Sequence, residues 1–414
     1  MNNLMTNDLT KEESRVTIYK GSGKPTQPSS VTDTTSLCDL NLNWREAELR
    51  ERERTKHVHR LHPYLGKYIP QLTEIFLRKY FKPGQTVLDP FAGSGTTLVQ
   101  ANELGINAIG YDISAFNVLL MKAKTKQYDL HQVKQEITDI LGKVNALIES
   151  DDYQLSFFDT SELDKGKVLF SKSEYLQKWF HHQALRQLLC YRDLIDEYEN
   201  QEILKIILSR SARSARLTTH YDLDFPKSPQ IEPYWCYKHS RICSPTNNAL
   251  QFLMRYSFDT INRLEEFALC RTNASIQVIH GDSSVPDIPF VNGVITSPPY
   301  VGLIDYHEQH RYAYELLDLE DCSNLEIGAA KKGSSQKAQK AYQESIAQVF
   351  RNICKSMSSG SYMIVVAGDR KNLYEKIAEL SGVEVEAILH RHVNRRTGRR
   401  ANEFYESIFI WRKP

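Results

Sequence analysis

The sequence lacks any long apolar run. Its most hydrophobic stretch, Tyr362–Ala367, falls far short of the roughly 20 residues a membrane helix needs, so no bilayer-spanning segment is expected. The first 35 residues are polar with no apolar core, which excludes a secretory signal. A disulfide framework is also missing: seven cysteines are scattered without paired spacing. That points to a reducing cytosol, with thiols used as small apolar groups. Nor does charge of one sign dominate, since 52 Lys plus Arg against 51 Asp plus Glu leaves a formal +1. This balance excludes a uniformly polycationic coat or an acidic solvating chain, but leaves room for a locally basic groove. No internal repeat is visible.

What is present is globular: 41% hydrophobic and 25% charged residues over 414 positions, enough for two domains or one with a large insertion. Residues 1–42 are rich in Ser, Thr, Asn and Lys, with Gly21, Gly23, Pro25 and Pro28, and read as a flexible N-terminal tail. The charge-dominated segment Asn43–His59 is expected to be helical. Ile69, Leu72, Ile75, Phe76 and Leu77 then recur at helical spacing until Pro83 and Gly84.

Strands and helices alternate from there. Short apolar strands are expected at Thr86–Leu88, Asn107–Tyr111, Ile276–Ile279, Gly293–Thr296, Tyr362–Val366, Val383–Leu389 and Glu406–Trp411, with helices at Gly95–Leu104 and Phe116–Lys124. This pattern predicts an α/β domain over 43–130 and 276–414, with a mostly parallel sheet and a C-terminal antiparallel hairpin. Residues 131–275 break the alternation and read as an inserted, mostly helical domain with a small core of its own.

Two turns carry chemistry. Asp89-Pro90-Phe91-Ala92-Gly93-Ser94-Gly95-Thr96-Thr97 sets a glycine turn between a strand and a helix, so that backbone N–H groups face a ligand. Asp112 ends the following strand, where a carboxylate can accept from ribose hydroxyls. Leu98 stands where a dinucleotide fingerprint has its third glycine, and no P-loop lysine follows. Asp89 would repel phosphate but suits an ammonium, as in the methionine part of S-adenosylmethionine. The second turn is Ser297-Pro298-Pro299-Tyr300, after the strand Val294–Thr296. Its prolines stiffen the turn and offer carbonyl acceptors. Ser297 and the Pro298 carbonyl can take the two N–H bonds of an exocyclic amino group, and Tyr300 can stack on a planar heterocycle.

Together, DPFAGSGTT and TSPPY resemble the amino-methylating DNA methyltransferases, which move a methyl from S-adenosylmethionine to cytosine N4 or adenine N6. The resemblance covers about residues 60–128 and 276–414. It implies a Rossmann-like methyltransferase fold and S-adenosylmethionine as cofactor. It assigns catalysis to Ser297, Pro298, Pro299 and Tyr300. It also implies that His62 and Tyr64, in HPYLGKYIPQL, help cover the methionine end, and that Asp282 and Ser283 lie near the adenine. The remaining cofactor residues are expected to be Asp89, Phe91, Gly93, Gly95, Thr96, Thr97, Asp112 and Ile113. In that family Ser before Pro-Pro-Tyr goes with cytosine N4, and Asp with adenine N6. Carbon-5 methylation needs a cysteine nucleophile, normally after a proline, and no cysteine follows a proline here.

Double-stranded DNA is the expected partner, and a restriction endonuclease acting on the same site a further one; a membrane is not. Between residues 205 and 241 there are seven Lys/Arg against three Asp/Glu. Arg210, Arg213 and Arg216, spaced every three residues, precede Tyr234, Trp235 and Tyr237, a mixture that can clamp phosphates and stack on bases. Residues 131–275 are therefore the expected target-recognition segment. A second cluster, His390–Arg400, holds five arginines and no acid. Arg395, Arg396, Arg399 and Arg400 in it, and Lys331 and Lys332 after the catalytic turn, are further expected DNA contacts. Cys236, His239 and Cys243 give at most three metal ligands by spacing, so no metal site is expected. The rival readings are adenine N6 methylation, an RNA substrate, and a non-catalytic specificity subunit, which intact Gly93, Gly95, Ser297 and Tyr300 argue against.

Overall fold

A computed structural model describes residues 17–21, 23–149, 153–156, 167–170, 173–223, 226–302, 304–330, 333–393 and 404–414. Its frame is an eight-stranded sheet. The strands are β1 (Thr17–Lys20), β2 (Thr86–Asp89), β3 (Asn107–Asp112), β4 (Ile276–His280), β5 (Gly293–Thr296), β6 (Tyr362–Ala367), β7 (Glu384–Val393) and β8 (Phe404–Arg412). Their spatial order is β1-β7-β8-β6-β5-β2-β3-β4. Neighbours are parallel except at β8, which runs antiparallel to both β6 and β7. The C-terminal hairpin is thus not an appended edge, because β8 is wedged between β6 and β7.

The central strands read as unbroken apolar runs because both sheet faces are covered. Helices α1 (Pro70–Tyr80) and α2 (Thr96–Glu103) belong to one side. Leu72, Ile75, Phe76 and Leu98 there pack with Ile295, Ile364 and Ile408. On the other face Leu88, Val294, Val365 and Trp411 pack against Ile346, Phe350 and Ile353, from the long helix Gln336–Cys354. β2 and β5 are direct neighbours, with Val87 opposite Gly293 and Leu88 opposite Val294. A Cβ on Gly293 would lie 2.6 Å from the Tyr362 carbonyl oxygen, so only glycine lets β6 close on β5. That pairing sets the glycine turn and the Pro-Pro-Tyr turn side by side at the carboxyl end of the sheet, where α/β folds bind ligands.

Three expectations change. The tail is structured from Gly23 onward among the described residues: Val31, Leu40 and Leu42 are buried in the sheet's core. The Asn41 side chain bonds the Gly23 carbonyl, and β1 adds a parallel strand beside β7. The segment Asn43–His59 holds only a four-residue helix, Glu51–Arg54, and the start of a 3-10 turn at His57–Arg60. The insertion contributes α4 (Leu130–Glu149), α5 (His182–Leu194), α6 (Gln201–Ala215) and α7 (Leu250–Ala268), which follow α3 (Ala115–Thr125). Its core is not its own: Val99, Phe116 and Leu120 belong to the same buried cluster as Ile140, Leu188, Leu204 and Leu264. Among the described residues no helix is long and apolar enough to cross a membrane.

Candidate active site

A cleft opens at the carboxyl ends of β2, β3, β4 and β5. Its wall from the glycine turn is Pro90–Ser94. Gly93 has φ of +50°, and a Cβ there would meet the Tyr64 hydroxyl at 3.2 Å, so a side chain would crowd the cleft wall. The Gly93 N–H donates to Asp112 Oδ2 at 2.8 Å, and the Ser114 N–H donates to Oδ1 at 2.8 Å. Asp112 is thus held in place at the end of β3 with lone pairs to spare, although burial pushes its carboxyl up from the ordinary value. Phe91, Ile113, Asp282 and Ser283 line the same cleft, as does Tyr64. The Tyr64 ring is stacked between Tyr306 and His310.

Five of the expected cofactor residues, His62, Asp89, Gly95, Thr96 and Thr97, do not line the cleft. Asp89 is 1% exposed and does not line the cleft. Its carboxylate accepts from Thr97, Thr296, Tyr68 and the Phe91 N–H, at 2.6, 2.6, 3.2 and 3.2 Å. It therefore clamps the turn to β5, to α2 and to Tyr68, just before α1. Thr97 is spent on that clamp, and Thr96 is buried in the first turn of α2. Gly95 caps α2 at φ +77°, with its Cα against Met121. His62 is fully buried, bonded to Ser209 and to the Pro63 carbonyl.

Of the catalytic turn, Ser297 and Pro299 line the cleft, across from Gly93 and Asp112. Tyr342 donates to the Pro299 carbonyl at 2.9 Å and so fixes the turn. The Pro298 carbonyl receives no donor among the described residues. Tyr300 donates to Glu406 Oε1 at 3.1 Å, and Glu406 pairs with Arg391 at 3.0 Å, both largely buried. Burial keeps the Tyr300 phenol well above the ordinary range, so it is an un-ionised donor.

Sequence reasoning missed His307 and Glu326, which line the cleft beside Tyr306. His307 Nδ1 is bonded to Glu326, whose Oε1 also accepts the His307 N–H at 2.9 Å. The buried pair closes the cleft's far wall. No motif marks the pair.

The expected DNA contacts divide. Arg210 and Arg216 are 9% and 4% exposed. Arg210 pairs with Asp259 and lies over the Tyr256 ring, while Arg216 bonds the Leu223 carbonyl and lies over Tyr312. The stripe faces inward because α6 is packed on several sides by apolar helices, so these two guanidiniums are internal ties and not phosphate clamps. Arg213 between them is half-buried. Lys331, Lys332, Arg395, Arg396, Arg399 and Arg400 lie outside the described residues.

A family model described as DNA methylase, of the N6/N4 type, matches residues 12–123. The chain is 39% identical over 430 residues to the Type II methyltransferase M.MjaII of Methanocaldococcus jannaschii, covering 87% of this chain and 81% of that one. The chain belongs to the N6/N4 DNA methylase family. More distant relatives are the Type II methyltransferases M.MvaI of Kocuria varians, 23% identical, and M.BsoBI of Geobacillus stearothermophilus, 22% identical. Each match covers 64% of this chain, and respectively 58% and 53% of the relative. As in this family of methylases, the cofactor is S-adenosylmethionine, and the cleft suits it. Asp112 and Asp282 offer carboxylates for hydroxyl or ammonium groups, and Phe91 offers a flat apolar surface.

Proposed function

We propose that the protein is a site-specific DNA methyltransferase that methylates the exocyclic N4 amino group of cytosine in double-stranded DNA. The observation that carries this is the Ser297-Pro298-Pro299-Tyr300 turn, held at Pro299 by Tyr342, whose Ser297 and Pro299 line one cleft with the glycine turn. S-adenosylmethionine, when bound, supplies an electrophilic methyl. Asp112, Phe91, Gly93, Asp282 and Ser283 would hold it. Ser297 Oγ and the Pro298 carbonyl would accept the two amino N–H bonds, which turns the nitrogen lone pair toward that methyl. The nitrogen would take the methyl as the methyl's bond to the sulfonium sulfur breaks, with S-adenosylhomocysteine as the leaving thioether, and then lose a proton to solvent, so no enzyme nucleophile is required.

Ser297, an uncharged acceptor in place of a carboxylate, supports cytosine N4 over adenine N6. An amino nitrogen inside a duplex cannot reach a methyl in this cleft, so the target base would be flipped out, with Tyr300 stacking on it. Residues 131–275 are proposed to carry target recognition through the aromatic and basic 234–241 segment. The connection 394–403, with Arg395, Arg396, Arg399 and Arg400, is proposed to grip phosphates near the flipped base, because it leaves β7 just beyond Arg391. Lys331 and Lys332 are proposed to do the same beyond the catalytic turn. The proposal includes restriction–modification as the setting, with an endonuclease of the same specificity as partner. Nucleoside analysis of DNA methylated by the purified chain tests the reading, with N4-methylcytosine expected and N6-methyladenine the rival outcome.

A further inference from the structure

We propose that His220, Cys236, His239 and Cys243 bind one Zn²⁺, in a closed structural site within the insertion. Spacing alone gives three ligands, Cys236, His239 and Cys243; the fold supplies His220 from the loop after α6. All four ligand atoms lie within 4.8 Å of one another. Cys236 Sγ is 3.3 Å from His220 Nδ1 and 3.6 Å from His239 Nδ1, and Cys243 Sγ is 3.5 Å from His239 Nδ1. Tetrahedral zinc, with bonds of about 2.0–2.3 Å, sets its ligand atoms about 3.3–3.8 Å apart. Three of the six edges of that tetrahedron already have this length.

The local backbone explains how. Tyr234–Cys236 and Arg241–Cys243 form an antiparallel hairpin, with Cys236 opposite Arg241 and Tyr234 opposite Cys243. Alternation puts both thiols on one face, buried, and leaves Trp235 and Ile242 exposed on the other. The turn is tight: the His239 N–H donates to the Cys236 carbonyl at 3.1 Å, and Ser240 takes φ of +50°. That returns His239 toward the two sulfurs. Tyr234 Oη accepts the backbone N–H of His220 at 3.2 Å, which ties the fourth residue to the hairpin; its 2.8 Å contact with His220 Nδ1 would give way to the metal.

The donor set selects the ion. Two thiolates and two imidazoles suit zinc, whereas calcium and magnesium take oxygen ligands. Four protein ligands leave no open position, and none of the four lines the catalytic cleft. A structural role also answers a deficit in the hairpin. Two strands of three residues each, with Trp235, Tyr237 and Ile242 exposed, bury too little to be stable alone. Metal binding supplies the missing folding free energy.

The test uses the full chain, untagged, purified without chelators under reducing conditions and supplied with zinc. Elemental analysis should find about one zinc per chain, and cobalt exchanged for it should show the visible bands of a tetrahedral ion and thiolate-to-cobalt charge transfer. Cys236→Ser and Cys243→Ser should each remove the stoichiometric metal, and His181→Ala, outside the cluster, should keep it. If the Ser variants fail to fold, proteolysis of the intact chain keeps the test open: chelation should expose cleavage within 220–243 while S-adenosylmethionine binding persists. Less than about a tenth of an equivalent of zinc in the reduced chain, or full zinc in Cys236→Ser, overturns the proposal.

Discussion

Tyr300 donates its hydroxyl to Glu406 at 3.1 Å, which joins the catalytic turn after β5 to the one antiparallel strand of the sheet. Glu406 sits opposite Arg391 in the β7–β8 register and pairs with it. The ring proposed to stack on the base is therefore anchored by its hydroxyl. Tyr300→Ala should lose stacking of about 1–3 kcal/mol, roughly 5- to 150-fold in kcat/KM. Tyr300→Phe keeps the ring and should fall between the wild type and Tyr300→Ala. Steady-state methyl transfer measures both; equal losses would show that only the hydroxyl matters.

Asp112 is the cleft's best-held carboxylate. Asp112→Ala removes a charge-assisted acceptor, which is worth about 1.5–3 kcal/mol. Calorimetry should show S-adenosylmethionine binding weakened by roughly 10- to 150-fold, with duplex DNA binding little changed. An unchanged cofactor affinity would remove Asp112 from the site.

Burial pushes the Asp89 carboxyl up to about 6 from the ordinary 3.8. Between those values the folded chain keeps a proton that the unfolded chain has lost. The contribution of Asp89 to stability is thus full below about pH 4 and is lost as pH rises through about 6, a change on the order of 3 kcal/mol. Asp89→Asn cannot ionise. Denaturation curves of the two proteins should show wild-type stability falling relative to the variant between about pH 4 and 7, and parallel pH profiles would contradict this.

Arg210 and Arg395 should part company. Arg210→Ala leaves Asp259 with only its 3.4 Å contact to Arg263 and uncovers the Tyr256 ring, at a cost in stability of about 1–3 kcal/mol. Its DNA affinity should change little once the protein is folded. Arg395→Ala should leave the melting temperature unchanged and lower the slope of log affinity against log salt by about one. Thermal melts and salt titrations separate the two.

These contrasts mark what could be read in the sequence. The turns at Asp89–Thr97 and Ser297–Tyr300 were legible because their chemistry is local: two glycines one residue apart, or two adjacent prolines, at a strand end dictate the backbone by themselves. Which side chains of those turns face the cleft was not, since Asp89 and Thr97 are turned to clamp duty by Tyr68 and Thr296, which lie far off in the chain. The period-three arginines looked like a solvated stripe because periodicity cannot say which helix face is covered; the apolar partners of α6 decided that. Leu40 and Leu42 are two apolar residues in a polar tail, too few to signal the packing they make. The pair His307–Glu326 and the fourth member of the hairpin cluster, His220, depend on contacts across 16 or more residues with no spacing rule.

The most direct test of the central claim is transfer of labelled methyl from S-adenosylmethionine to duplex DNA, followed by nucleoside analysis, with wild type and Ser297→Ala side by side. The account predicts N4-methylcytosine from the wild type, insensitive to ribonuclease, and its loss in Ser297→Ala with S-adenosylmethionine binding retained. N6-methyladenine as the product, label carried only by RNA, or full activity in Ser297→Ala would contradict it.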